Sequence, residues 1–336
     1  MPKIVTFGEV LLRLSTPGHQ KIQQATAFEA TFGGTEMNVA AGLAQWGYEA
    51  SHVGVFPDNA MGVKAKKFIQ NLGVSDKNII LNGNRIGLFF LETGAVHRAS
   101  QIVYDRADSA FANLDPSWFD WENILAGADW FHWCGITPAI SSGAAQACLE
   151  ALKTAKKLGV KVSSDIYYRS NLWNYGKTPQ DILPELATYS DIILASRKNL
   201  EEIFGIAPSE LEKGKFQDTA QRFMKAYPNV QKVVDTDREQ ISASHNRLGS
   251  KIWNGKLYHK TDAFDVTHIV DRIGTGDAFL AGFIHGQLSG ADDLQSLIYG
   301  NASSALKHTI SGDQNLVGLE ELENLASGDT SGRLKR

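Results

Sequence analysis

From about Asp129 onward, short apolar runs alternate with amphipathic stretches, and this alternation limits the available folds more than any other feature of the chain. Runs such as DWFHWCGI, VKVSSD and DIILA have the length and β-branched or aromatic content of buried strands. The stretches between them have helical spacing. Strand and helix in regular turn give βα units, because parallel strands need a crossover and a helix supplies it. The expected class is α/β, with a doubly wound, mainly parallel sheet flanked by helices. Ser141 to Leu158 shows the local logic: serines suit an N-cap, Ala, Leu and Lys fill the turns, and Gly159 suits a left-handed stop. The next strand then begins at Val160.

The earlier part of the chain has a different texture. Residues 11–32 and 87–106 look like hairpins punctuated by Gly and Pro, with a helical stretch between them from Asn59 to Leu72. These hairpins are expected to pair into a small sheet that projects from the core as a lid over a site. Residues 1–326 then form one folded unit, and the polar, aperiodic 327–336 a flexible tail. The opening MPKIVTFGEV reads as the first strand, not as a leader.

Composition narrows the partners. A net charge of -4 over 336 residues offers no broad cationic field for nucleic acid or an anionic membrane. No run approaches the roughly 18 to 20 apolar residues of a membrane-spanning helix. Cys134 and Cys148 are the only cysteines, too few for a disulfide framework or, by themselves, a zinc site. Two buried thiols in a cytoplasmic protein that handles small molecules are expected.

The segment IVDRIGTGDAFLAGFIHGQLSG, residues 269–290, carries the chemistry. A strand-like approach is expected to end at Asp271, and a helical period of Phe279, Phe283, Ile284 and Leu288 begins just after Gly276. The glycines Gly274 and Gly276 thus sit at a helix N-terminus, where free N–H groups and the positive helix pole favour an anion. Asp277 in that first turn has two readings. It either complements the helix dipole, or it accepts the proton of a hydroxyl attacking a phosphoryl group held by the turn. The motif alone does not choose. No GK[ST] follows, so this is not a Walker loop, and its position is too late for a first-βα dinucleotide fingerprint. A second glycine cluster, FGGTEMNV, precedes another helix; there Asn38 is either a ligand for sugar hydroxyls or a solvated turn residue.

Together, GGxxxN near residue 34 and DRxGxGDAF near residue 274 resemble the two signatures of the ribokinase-like, PfkB-type sugar kinases. The resemblance runs over nearly the whole chain. It implies sugar contacts at Gly34 and Asn38, an anion hole at Gly274, Thr275 and Gly276, a catalytic base at Asp277, and a β lid. The segments FEATFGGTEMNVA, VYDRADSA, FHWCGITPAIS, DIYYRSNLW and SASHN look most like the 2-keto-3-deoxygluconate kinases. That likeness assigns Arg106 and Arg169 to the substrate carboxylate, with Tyr104 beside them and Asp313 near the sugar. The guanidinium fork suits a carboxylate.

Three departures bear on the nucleotide and the lid. Where the family often has Asn-x-x-Glu, this chain reads Ser196, Arg197, Lys198, Asn199; Ser196 and Asn199 are retained as candidate nucleotide contacts, with Arg197 or Lys198 offsetting phosphate charge. Where relatives carry a glycine-bearing turn, it places Asp237, Arg238 and Glu239, and Arg238 is the candidate phosphate contact between two acidic neighbours. Phe89 stands where a lid tyrosine is usual, and Thr35 and Thr275 replace smaller residues. ATP and Mg²⁺ are the implied cofactors, the magnesium held mainly through nucleotide phosphates. The expected reaction is phosphorylation of the terminal hydroxyl of 2-keto-3-deoxygluconate by a homo-oligomer. A kinase for a neutral sugar and a noncatalytic sugar-acid sensor are the alternatives.

Overall fold

In the computed structural model, which describes residues 1–166, 172–209 and 215–332, the opening residues KIVTF form β1 (Lys3–Phe7). There follow β2 (Leu11–Ser15), β3 (Glu29–Gly33), α1 (Thr35–Gln45), β4 (Glu49–Phe56), α2 (Ala60–Asn71), β5 (Ile79–Leu81), β6 (Leu88–Glu92) and β7 (Gln101–Asp105). The middle of the chain adds α3 (Trp121–Leu125), β8 (Trp130–Cys134), α4 (Thr137–Ile140), α5 (Ser142–Leu158), β9 (Lys161–Asp165), α6 (Pro179–Ala187) and β10 (Ile192–Leu194). The rest comprises α7 (Arg197–Phe204), α8 (Phe216–Ala226), β11 (Lys232–Ser242), β12 (His245–Trp253), β13 (Tyr258–Lys260), β14 (Phe264–Val266), α9 (Thr275–Leu288), α10 (Asp293–Lys307) and α11 (Leu319–Ala326).

The large sheet runs β13-β12-β11-β10-β9-β8-β1-β4-β5, with β14 also on β12. It is parallel from β5 to β11 and antiparallel beyond. Its central strands are covered on both faces, which is why they read as continuous apolar runs. Val5, Phe131 and Trp133 pack against α5, while Ile4 and Trp130 join Val39 of α1 and Phe279 of α9 in a separate cluster. The second sheet is β3-β2-β6-β7. Its two hairpin pairs are antiparallel, and β2 and β6 meet in parallel register, Leu12 opposite Leu88.

The helix read from Ser141 is α5, capped by the Ser141 hydroxyl and stopped by left-handed Gly159 at φ 71°. One local expectation fails: residues 269–271 are not a strand. The amides of Val270 and Asp271 both donate to the carbonyl of His308, at 2.8 and 3.3 Å, so the segment ties to the end of α10 instead of to a neighbouring strand.

Helix α9 is buried nearly all round because α10 packs along it. At Gly282 the two helices approach so closely that a Cβ would come within 2.4 Å of the Tyr299 carbonyl oxygen. Gly→Ala inside a helix normally gains about 1 kcal/mol, but a clash with rigid backbone costs about 1–3 kcal/mol and wins. Gly282→Ala is expected to lower unfolding free energy by up to about 2 kcal/mol in urea titrations; a stabilised variant would show that the helices yield.

Candidate active site

A cleft of about 420 Å³ opens at the carboxyl ends of the central strands. Glu9 follows β1, Cys134 ends β8 and Asp165 ends β9, and all three line it. The chain leaves β1 for β4 on one side and returns to β8 on the other, so the cleft lies at the switch point where open α/β sheets bind ligands. The small sheet supplies another wall: Leu11, Phe89, Ile102 and Tyr104 face Ile273 across an apolar contact.

At the cleft floor Gly274 caps α9 with φ 78°, a conformation that favours glycine, and a Cβ there would fall 1.8 Å from the Asp313 carbonyl oxygen. The amides of Thr275, Gly276 and Asp277 begin the helix and have no intrahelical acceptor. A Cβ on Gly276 would meet nothing within 4 Å, so the turn is open to an approaching anion. The Asp277 carboxylate accepts from Asn38 Nδ2 at 2.7 Å. The amide of Asn38 is in turn oriented by Gln314, whose Nε2 donates to Asn38 Oδ1 at 2.9 Å. The two glycine signatures, far apart in sequence, thus meet at one hydrogen bond.

Thr275, the larger residue of the turn, is buried and has both hydroxyl functions engaged. It donates to the carbonyl of Arg272 at 3.0 Å and accepts from Arg238 Nη2 at 3.2 Å. Arg238 and Arg272 therefore stand together on the cleft wall. The acidic neighbours of Arg238 have cations of their own: Asp237 meets Lys251 at 2.5 Å and Glu239 meets Arg247 at 3.4 Å. No glycine turn interrupts this stretch, which is the continuous β11–β12 hairpin.

Arg106 lines the cleft, and its Nε donates to Glu9 Oε2 at 2.8 Å, with Nη2 on the same oxygen. Its guanidinium lies 5.9 Å from the Tyr104 ring centroid, and Tyr104 pairs with Phe89 across β6 and β7. Ser109 holds the other oxygen of Glu9 at 2.5 Å. Arg169 falls outside the described residues. Gly34 lines the cleft before α1.

Asp313 reaches the cleft but is almost wholly buried and pairs with Arg13 of β2 at 2.5 Å. Ser196 and Asn199 are not among the lining residues; each bonds the other in a box that caps α7. Arg197 and Lys198 pair with Glu201 and Glu202 one turn on, at 3.1 and 3.6 Å. Sequence reasoning passed over Glu9, Arg13, Glu36, Arg272 and Gln314. For Glu9 a signal existed: it is a charged residue directly after the first strand, at the sheet end where ligands bind.

Residues 1–319 match the pfkB family carbohydrate kinase. The chain belongs to this family. A 2-dehydro-3-deoxygalactonokinase of Haloferax volcanii is 30% identical, over 98% of each chain. The crystal structure of 2-dehydro-3-deoxygluconokinase from Thermotoga maritima is 40% identical with a TM-score of 0.92, covering 98% of this chain and 100% of that one. A PfkB family carbohydrate kinase from Listeria grayi superposes with a TM-score of 0.91 at 30% identity, over 97% and 99% of the two chains.

Within this carbohydrate kinase Glu36 has an unusual environment. It is buried beneath the cleft, and its Oε1 accepts from the Cys134 amide at 3.1 Å and the Thr137 hydroxyl at 2.5 Å. Burial pushes its pKa from 4.5 to about 7; the two donors oppose that shift, and Asp277 adds to it. A carboxyl whose folded pKa is raised holds a proton that the unfolded chain releases, so its contribution is full below 4.5 and is lost as pH rises through about 7. Glu36→Gln should therefore gain stability relative to the native kinase between about pH 5 and 8 in urea unfolding. Parallel pH curves for the two proteins would refute the assignment.

Proposed function

We propose that this kinase transfers the γ-phosphoryl group of ATP to the terminal hydroxyl of 2-keto-3-deoxygluconate or its C4 epimer, giving the 6-phosphate and ADP. The observation that carries this reading is the Asp277 carboxylate, held by Asn38 at 2.7 Å beside an open helix N-terminus, in a cleft where Arg106 also stands. A hydroxyl placed between Asp277 and the turn would lose its proton to that carboxylate as the P–O bond forms. The amides at residues 274–277 would take up charge developing on the transferred group, with Arg238 and Arg272 at the wall. ATP supplies the activated phosphoryl group. The Mg²⁺ of this reading enters on the triphosphate oxygens.

Acid selectivity is assigned to Arg106. Its Nε and Nη2 serve Glu9, and among the described residues its Nη1 makes no hydrogen bond, which leaves a donor for a substrate carboxylate. Arg169 is proposed as the second cation on the strength of the family resemblance, and Ser196 and Asn199 remain candidate nucleotide contacts on the same ground. The small sheet is proposed to act as a lid, its inner face of Phe89 and Tyr104 excluding water. Its outer strands β3 and β7 each have one unpaired edge among the described residues, which supports association of two copies.

Two measurements test the reading. In a coupled ADP-release assay, 2-keto-3-deoxygluconate or the galactonate epimer should be turned over in preference to fructose and ribose, and Asp277→Asn should lower kcat by about 10²–10⁴-fold with the fold intact. Near-normal kcat would reject the base assignment. Arg106→Gln should raise KM for the acid sugar by about 10–100-fold, the value of a charged hydrogen bond, and leave a neutral sugar nearly unaffected. Equal losses on both would remove the carboxylate role.

A further inference from the structure

Beneath the glycine turn lies a buried cluster of four charges. Arg13 projects from β2 of the small sheet, and each of its three guanidinium nitrogens is engaged: Nη1 on Asp313 at 2.5 Å, Nη2 on Asp271 at 2.5 Å and Nε on Ser15 at 2.7 Å. Lys307, fully buried on α10, is the fourth charge and donates to the Ile310 carbonyl at 2.9 Å. Burial opposes the charge on Arg13, but Asp313 and Asp271 outweigh it and keep the guanidinium protonated.

The two carboxylates are structural parts of the cleft floor. Asp271 Oδ1 accepts from the amide of Ile273, the residue before Gly274, and Oδ2 from the amide of Gly312, the residue before Asp313. Asp313 is wedged between the signatures: its backbone presses on Gly274, and its carboxylate on Gly33, where a Cβ would come within 1.8 Å of Oδ2. Any shift of either carboxylate moves the turn or the start of α1. Burying such a cluster costs several kcal/mol in desolvation, and apolar side chains of the same volume would often stabilise the fold better. A role in placing the turn accounts for ions at this position.

We propose that Arg13 is a positioning residue for phosphoryl transfer, fixing the anion-binding turn through Asp271 and Asp313 and so making the turn's geometry depend on the small sheet. This rests on the kinase reading above, in which that turn holds the transferred group. Arginine suits the position because its rigid planar fork holds both carboxylates in fixed directions, whereas a lysine ammonium is a point charge with rotatable donors and fixes neither.

Full-length Arg13→Met, Arg13→Gln and Arg13→Lys variants test it, compared with the native kinase on whichever sugar the native chain turns over best. Folding is checked by circular dichroism and thermal unfolding. The folded Met and Gln variants are expected to lose about 10²-fold in kcat, the usual cost of a misplacement near 1 Å, while KM for ATP and sugar changes by less than about 3-fold. The Lys variant should fall between these and the native enzyme. A folded variant with kcat within about 3-fold of native, or a loss confined to sugar KM, overturns the proposal, because packing or sugar binding alone would give those results. If Met and Gln fail to fold, the Lys variant decides alone: native kcat sinks the idea. Should the native chain prefer a neutral sugar while the Arg13 variants still lose kcat, the substrate assignment fails and the Arg13 role stands.

Discussion

The hydrogen bond from Asn38 to Asp277 is the point on which the rest of the site depends. It joins the first turns of α1 and α9, two helices already packed together through Val39, Leu43, Phe279 and Leu280. The helix pair fixes where the two backbones lie to within a side chain's reach; the amide–carboxylate contact fixes where the Asp277 carboxylate points. Gln314 removes the remaining freedom by holding the Asn38 carbonyl, so the NH₂ group must face Asp277. An aspartate at a helix N-terminus merely complementing the dipole would need no such orienting chain.

The architecture was legible because it rests on periodicity. Central strands covered on both faces read as apolar runs, and helices such as α5 announced their caps at Ser141 and Gly159. The two glycine signatures were legible because a turn at a helix N-terminus requires particular residues at fixed spacing. What stayed hidden depends on tertiary contact. Arg13 reads as an ordinary charged residue in a strand until β2 is seen to lean over Asp271 and Asp313. Glu36 reads as a favourable acid in the first turn of α1 until it is found buried against Cys134 and Thr137. The strand expected before the glycine turn failed for the same reason, since its amides found the His308 carbonyl instead.

Departures from the family pattern also gain physical explanations. Thr275 is larger than the residue usual at its position, and its hydroxyl ties Arg238 to the backbone of Arg272. Arg238 itself sits between acidic residues that would repel a triphosphate if unpaired, yet Lys251 and Arg247 neutralise them on the neighbouring strand. The changed 196–199 segment spends its polar atoms on capping α7 and its cations on i,i+4 pairs. The guanidiniums beside the glycine turn belong instead to Arg238 and Arg272, which line the cleft.

On the proposed reading, a cleft with so many carboxylates receives an acid substrate. Glu9, Glu36, Asp165, Asp277 and Asp313 all line it, and five anions around one small volume would exclude a sixth. Four of them are answered locally: Glu9 by Arg106 and Ser109, Asp313 by Arg13, Asp277 by Asn38, and Glu36 by two donors and a pKa near neutrality. In the role proposed for it, Arg106 is shared with Glu9, so its field at a substrate would be weakened and it would reach a ligand carboxylate mainly through directed N–H geometry. Selectivity built that way discriminates by shape as well as charge. An acid whose carboxylate cannot reach Arg106 Nη1, beside Tyr104, would meet the negative potential of the cleft without the compensating hydrogen bond.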